Sequence, residues 1–139
     1  LLREPMTTEK SIAQAVMRAE IVGKRFAVVC LDENTIVEDR TTLAKISDKL
    51  LGIDGVDISF TLGSINDKLV GVSARSLESI NVQIIMEELG GGGHQTVAGV
   101  QLDNMRAADI EPQIIALAKK QLEQLEEKDN NESDSVTRC

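Results

Sequence analysis

The stretch VDISFTLGSINDKLVGVSAR, residues 56–75, decides the architecture that we predict for this chain. In its first part, VDISFTL (56–62), apolar residues recur at every second position, as on a strand with one face in a core. The turn-forming segment GSIND (63–67) separates this run from a second strand-like run, KLVGVSAR (68–75). Two such runs joined by a short turn predict a β-hairpin.

Helical and strand-like patterns alternate on both sides of this hairpin. The order α-β-α-β-β-α-β-α predicts an α/β (α+β) fold, in which helices flank a mixed sheet of about four or five strands. We expect Pro112 in the first turn of the last helix, where its missing N–H is tolerated. Besides the hairpin, the predicted elements are helices over 7–23, 41–52, 79–90 and 105–126, and strands over 25–31 and 96–102.

The ends of the chain differ in composition from the part between them. Length and hydrophobic content predict one globular domain over 7–126, and the abrupt opening LLREP, without a start methionine, suggests a fragment of a longer protein. The stretch 127–139 is polar and acidic, which predicts a disordered tail.

The composition excludes several function classes. A net charge of -8 argues against the basic surface of a duplex-DNA binder, and an aromatic content of 1% argues against base-stacking platforms. Two cysteines are too few for the disulfide framework of a small secreted domain. The scarcity of cysteine therefore indicates a reducing, cytosolic environment, and no apolar stretch has the length of a membrane span.

The segment LGGGGHQTVAG (89–99) contains four consecutive glycines followed by the single histidine of the chain, His94. We expect Gly90 to end a helix in the left-handed conformation. We expect Gly91, Gly92 and Gly93 to expose successive N–H groups that suit an anion, with His94 donating a further hydrogen bond. The alternative is a flexible connector with a surface histidine.

A second candidate is GVSARS (71–76), in which Ser73 and Arg75 share one face of a strand. Arg75 can grip a phosphate with two N–H groups, although a solvated arginine at a strand end is the alternative. A helix start follows at 79–81, where Asn81 either caps the helix or reaches a ligand. Together these features predict a nucleotide phosphate site.

The sequence shows no complete catalytic centre. One histidine cannot supply a multi-histidine metal site, and Cys30 and Cys139 lack zinc-ligand spacing. Neither a GxGxxG nor a GxxxxGK[ST] pattern occurs, and no nucleophile–base pair can be picked out. We therefore predict a binding domain that contains no catalytic or metal-ligating residue of its own.

The run GVSARSLESINVQIIMEELGGGGHQTVAG (71–99) resembles the C-terminal, DHH-associated domain of the DHH phosphoesterases, and the likeness covers roughly residues 3–125. It is most similar to the membrane-anchored cyclic di-AMP phosphodiesterases of Gram-positive bacteria. The resemblance implies a parent enzyme that hydrolyses cyclic di-AMP to linear diadenylate, with two manganese ions in a preceding DHH domain. It also implies that Ser73, Arg75, the glycines 90–93, His94 and, more weakly, Asn81 contact the nucleotide.

The resemblance further implies that residues 1–6 end a linker from the missing DHH domain, a partner in cis, and that 7–126 form a nucleotide-binding domain. It also implies an N-terminal membrane anchor on the parent, with this domain on the cytoplasmic side and not in direct contact with the membrane, and it allows a homodimer of the parent. Relatives often carry alanine where this chain has Val97, and we expect Val97 to pack on the sheet with little effect on binding. Two alternatives stay open: an oligoribonuclease or single-strand exonuclease relative, and a non-catalytic RNA-binding module like the C-terminal domain of alanyl-tRNA synthetases.

Overall fold

In the part of the chain that the structure describes, six strands form one mixed sheet in the order β1-β2-β3-β4-β6-β5. The computed structural model describes residues 3–23, 25–31, 37, 40–66 and 68–137, with side chains up to residue 128. The predicted mixed α/β class is confirmed. The elements are α1 (Met6–Arg18), β1 (Glu20–Val22), β2 (Phe26–Cys30), α2 (Arg40–Leu51), β3 (Ile58–Ser64), β4 (Leu69–Ser76), α3 (Val82–Glu88), β5 (Gly92–Gly93), β6 (Val97–Asp103) and α4 (Ala107–Thr137).

The predicted hairpin is confirmed as β3 and β4, which pair antiparallel from Ile58 opposite Ser76 to Ser64 opposite Val70. The side-chain oxygen of Asn66 accepts hydrogen bonds from the amides of Lys68 and Leu69, both 2.9 Å, and so closes the turn. On one side β3 pairs parallel with β2, and on the other side β4 pairs antiparallel with β6. The hairpin therefore lies at the centre of the sheet.

The six strands exceed the predicted four or five, and two of them, β1 and β5, are not among the four that the sequence pattern located. The first predicted helix ends at Arg18 rather than near residue 23, and residues Glu20–Val22 pair antiparallel with β2 as β1. Gly23, with a φ of 68°, makes the turn between these strands, which brings the β-branched Ile21 and Val22 beside β2. The other extra strand is β5, where Gly92 and Gly93 pair with β6.

The last helix differs from its prediction in two ways. Pro112 lies in the second turn of α4 rather than in the first, and it is exposed next to the exposed Ala108, whose carbonyl water can solvate. The helix continues past residue 126, its predicted end, to Thr137. Long straight-chain residues dominate positions 119–128, and such residues are good helix formers. The disordered character of the tail stays a prediction.

Each face of the sheet has its own apolar core. On one face, α3 and α4 cover the central strands through residues such as Phe60, Val72, Met86 and Ile114. On the other face, α1 and α2 pack on the strands through residues that include Val29 and Leu43. The helix α2 lies over β3 and β4, so β6 and β5 extend beyond it on this second face.

Candidate functional site

A groove of about 580 Å³ occupies this part of the sheet, between α2 and the glycine-rich segment. Arg40, Leu43 and Ala44 of α2 form one wall. Six of the eight predicted site residues line it: Ser73, Arg75, Gly91, Gly92, Gly93 and His94. The fold thus brings together two sequence motifs that are about 15 residues apart in the chain.

The floor of the groove is a row of small residues across three neighbouring strands. Ser73 of β4 lies opposite Gly99 of β6, and Gly99 lies opposite Gly92 of β5. Directly opposed residues of an antiparallel sheet point to the same face, so this row carries no bulk above the backbone. Gly99 was not predicted as a site residue, although a glycine inside a strand is a known sign of close backbone approach.

Arg75 is held firmly by the protein, with a side chain that is 13% exposed. Its Nε donates to Oδ1 of Asp48 at 2.9 Å. Its Nη1 donates to Oγ of Ser73 at 3.1 Å and to the carbonyl oxygen of Ala74 at 2.9 Å. These bonds use three of the five N–H donors of the guanidinium.

The predicted two-nitrogen grip of Arg75 on a phosphate is therefore not set up in this arrangement. No described residue accepts from Nη2, so the two hydrogens on that nitrogen are the ones Arg75 can offer without breaking a bond. The alternative of a freely solvated arginine is also wrong, because the side chain is largely buried and fully oriented.

A buried hydroxyl network lies under the site and joins α2 to the sheet. Oγ of Ser47 donates to the carbonyl of Ser73 at 3.0 Å and lies 2.7 Å from Oγ1 of Thr61. Because the Ser47 proton goes to Ser73, Thr61 is the donor in the second bond. Ser59 in turn donates to the carbonyl of Ser47 at 2.7 Å. Polar groups buried between a helix and a sheet must be paired, and here they fix α2 against β3 and β4.

The four glycines have different steric roles. Gly90 has a φ of 90° and ends α3, as predicted. A Cβ on Gly91 would lie 2.6 Å from Cβ of Val100, and one on Gly93 would lie 2.6 Å from Cα of Ala98, so both positions need glycine for contact with β6. A Cβ on Gly92 would meet no described atom within 4 Å, because it would project into the groove.

The glycine segment does not form the predicted series of free N–H donors. The amides of Gly90 and Gly91 donate to the carbonyls of Glu87 and Met86, and the amide of His94 donates to the carbonyl of Val97. In an antiparallel pair of strands, hydrogen-bonded and non-hydrogen-bonded residue pairs alternate. Because His94 is hydrogen-bonded to Val97, the next pair, Gly93 opposite Ala98, is not hydrogen-bonded, and Gly92 opposite Gly99 is. The N–H of Gly93 therefore points away from β6. The backbone N–H that this segment exposes at the edge of the sheet is that of Gly93.

His94 follows directly after this edge and is exposed. Its backbone is fixed by the 2.7 Å bond to Val97, while no described residue makes a hydrogen bond with its imidazole. The side chain is therefore available to the groove that it lines.

Asn81 and Gly90, the other two predicted residues, do not line the groove. The side chain of Asn81 accepts from the amide of Ile84 at 3.2 Å and caps α3. Its backbone N–H and carbonyl bind the side chain of Gln121 on α4, both at 3.0 Å. These contacts are the capping role that the sequence left open.

The charged residues that line the groove are basic, although the chain is acidic overall and Asp48 pairs with Arg75 from outside the lining. Arg40 and Arg75 line it, and no acidic residue does so within the part of the chain that the structure describes. Sequence reasoning missed Arg40. It also misjudged Val97, which is 44% exposed and lines the groove instead of packing on the sheet.

A second cavity of about 570 Å³ lies between α1 and α2, and its lining includes Ala15, Leu31 and Ile46. None of the predicted site residues lines it. The described residues contain no group of three or more His, Cys, Asp or Glu side chains that could hold a metal ion. None of the described helices is long and apolar enough to cross a membrane.

Comparison with known proteins matches this chain to one domain family. The family model of the DHHA1 domain matches residues 23–125. The cyclic-di-AMP phosphodiesterase GdpP of Geobacillus thermodenitrificans is 42% identical over 114 residues, which cover 82% of this chain and 17% of that protein. The cyclic-di-AMP phosphodiesterase PdeA of Listeria monocytogenes is 40% identical over 116 residues, which cover 83% of this chain and 17% of that protein.

The chain thus spans about a sixth of the length of these two relatives. Among solved structures, an exopolyphosphatase-related protein from Bacteroides fragilis matches with a TM-score of 0.70 at 16% identity. That match covers 87% of this chain and 37% of the other chain, and it shows a shared fold.

Proposed function

This chain belongs to the DHHA1 domain family, and on that premise we propose that it is the substrate-binding domain of a cyclic di-AMP phosphodiesterase. In this proposal the groove holds cyclic di-AMP or its linear diadenylate product. Arg75 contacts a phosphate through Nη2, and Ser73 holds the guanidinium and lines the floor. Gly93 offers its N–H, Gly92 keeps the floor open, and His94 contacts the substrate from the rim.

The observation that carries the proposal is the chemistry of the groove wall. In a chain of net charge -8, the described lining contains two arginines, one histidine and no carboxylate. Like-charge repulsion and desolvation would exclude a dinucleotide from an acidic cleft, whereas this lining attracts it. The floor of Ser73, Gly99 and Gly92 lets a flat ring or phosphate approach the backbone closely.

The remaining parts of the reaction are assigned to a separate DHH domain of the parent protein. Hydrolysis there would use two manganese ions, which polarise the phosphate and activate water. The described residues of this chain do not offer a ligand set for such ions. We further propose that an N-terminal region anchors the parent to the membrane, with this domain on the cytoplasmic side, and that the parent can form a homodimer.

A titration followed by amide NMR tests the proposal on this chain. We expect cyclic di-AMP to shift the signals of Gly92, Gly93 and His94 saturably, and to leave Gly52 and Gly55, outside the groove, unchanged. Arg75→Ala should weaken binding roughly ten- to hundred-fold, the effect of losing a charged hydrogen bond. His94→Ala should weaken it without unfolding the domain.

The matched control is Arg25→Ala. Arg25 is paired with Asp57 at 2.8 Å much as Arg75 is paired with Asp48, but it does not line the groove. Equal losses for both arginine variants would reject a specific role of Arg75. Absence of saturable shifts with either dinucleotide would reject this domain as the substrate-binding part.

Two further ligands separate the alternatives. Tight binding of short linear RNA without any response to cyclic di-AMP would favour an oligoribonuclease-type relative. Tight binding of tRNA without any response to dinucleotides would favour an RNA-binding module. Manganese-dependent hydrolysis by the full-length parent, reduced by Arg75→Ala, would support the proposed reaction.

A further inference from the structure

Asp48 does not line the groove, but its side chain contacts Arg75, which does. It lies on α2, is 62% exposed, and accepts the Nε–H of Arg75 at 2.9 Å. The buried hydroxyls of Ser47, Thr61 and Ser59 fix this turn of α2 against the sheet. The backbone of Asp48 is therefore fixed in place beside the guanidinium of Arg75.

We propose that Asp48 is a positioning residue, which orients Arg75 so that Nη2 is the nitrogen presented to an anionic ligand. A guanidinium is planar, so an acceptor on Nε together with two acceptors on Nη1 defines the direction of Nη2. This inference rests on the proposed function, because it assigns how the same groove recognises a phosphate.

A contribution to fold stability is a poor explanation of this ion pair. Pairs with one well-exposed partner contribute little to folding. The carboxylate also lowers the positive potential at Arg75, which by itself weakens anion binding. We therefore assign the Asp48 carboxylate a geometric role. Because it orders the Arg75 guanidinium in the free protein, ligand binding costs less side-chain entropy.

Two substitutions of Asp48 separate geometry from charge. Asp48→Asn removes the charge and keeps an oxygen acceptor, whereas Asp48→Ala removes both. We expect Asp48→Ala to bind cyclic di-AMP roughly three- to ten-fold more weakly than Asp48→Asn, as follows from ordering one long side chain. The Nε–H signal of Arg75 should be protected from exchange in the wild type and in Asp48→Asn, and lost in Asp48→Ala.

Asp57→Ala is the matched control, because it breaks a second arginine–aspartate pair, Arg25–Asp57, which lies outside the groove. The difference between the Asp48 variants should vanish when Arg75 is replaced by Ala. Suppose that the wild type binds cyclic di-AMP, as the proposed function requires. Equal affinities of Asp48→Ala and Asp48→Asn would then overturn the inference about Asp48 alone. A difference between these two variants that persists without Arg75 would do the same. A wild type that binds no dinucleotide would instead remove the proposed function, and this inference with it.

Discussion

Two neighbouring glycines provide a test that separates folding from binding. Gly91→Ala places a Cβ 2.6 Å from Cβ of Val100 and 3.0 Å from its Cα, and also against the carbonyl of Gly99. Because the β6 backbone at Gly99 and Val100 must move to make room for this methyl group, we expect a loss of about 1–3 kcal/mol in the free energy of unfolding. Gly92→Ala meets no described atom within 4 Å and needs no positive φ.

Gly92→Ala should therefore be neutral or more stable than the wild type by about 0.4–1 kcal/mol, since alanine restricts the unfolded chain. The two variants should differ by roughly 1–4 kcal/mol, a shift on the order of 1 M in the urea midpoint at an unchanged slope. Urea unfolding followed by circular dichroism measures this difference.

Ligand affinity should show the opposite order. The methyl group of Gly92→Ala occupies the floor where we place the dinucleotide, so its affinity for cyclic di-AMP should fall roughly five- to hundred-fold. The same midpoint for both variants would refute the steric assignment of the glycines. Full affinity of a stable Gly92→Ala variant would refute the floor of Ser73, Gly99 and Gly92 as the ligand surface.

The remaining predictions concern stability and the separation of Asn81 from the site. Ser47→Ala leaves the buried hydroxyl of Thr61 without its acceptor and should lower the free energy of unfolding by about 1–3 kcal/mol. The control Ser11→Ala removes an exposed hydrogen bond and should change this free energy by less than about 0.5 kcal/mol. Equal losses for both variants in urea unfolding would contradict a structural role of the buried hydroxyl network. Asn81→Ala removes a helix cap and should cost about 0.5–2 kcal/mol, yet calorimetry should give an unchanged affinity for cyclic di-AMP; a large loss of affinity would return Asn81 to the site. Ile114→Ala, on the fully buried face of α4, should cost about 2–5 kcal/mol in the same unfolding assay, and a loss below 1 kcal/mol would show that α4 contributes little to the core.

Much of the fold follows from local pattern. The period of two in 56–62 identified the hairpin, and the helical spacing of residues such as Ile110 and Ile114 identified the face of α4 that is buried. The two missed strands have weak local signals. Three residues at the end of a helical pattern form β1, and two glycines form β5, and both exist because β2 and β6 are available to pair with them.

The sequence predicts which residues belong to the site, but not how they are arranged in space. Ser73, Arg75 and His94 were identified because their chemistry suits phosphate, and the glycines because a run of four is conformationally expensive. Asn81 was included because a polar side chain at a helix start can either cap the helix or contact a ligand. Its side chain makes the local cap contact with Ile84, and the packing of α3 on α4 adds the backbone contacts with Gln121 that no local pattern predicts.

The sequence by itself determined the order of elements, the hairpin, the motif residues and the family resemblance, because periodicity and short-range spacing are local properties. The tertiary structure decided which of these residues meet. The register that aligns Ser73, Gly99 and Gly92, and the docking of α2 that brings Arg40 and Asp48 beside the groove, join positions up to about 60 residues apart. Such contacts depend on strand pairing and helix packing, which no local pattern encodes.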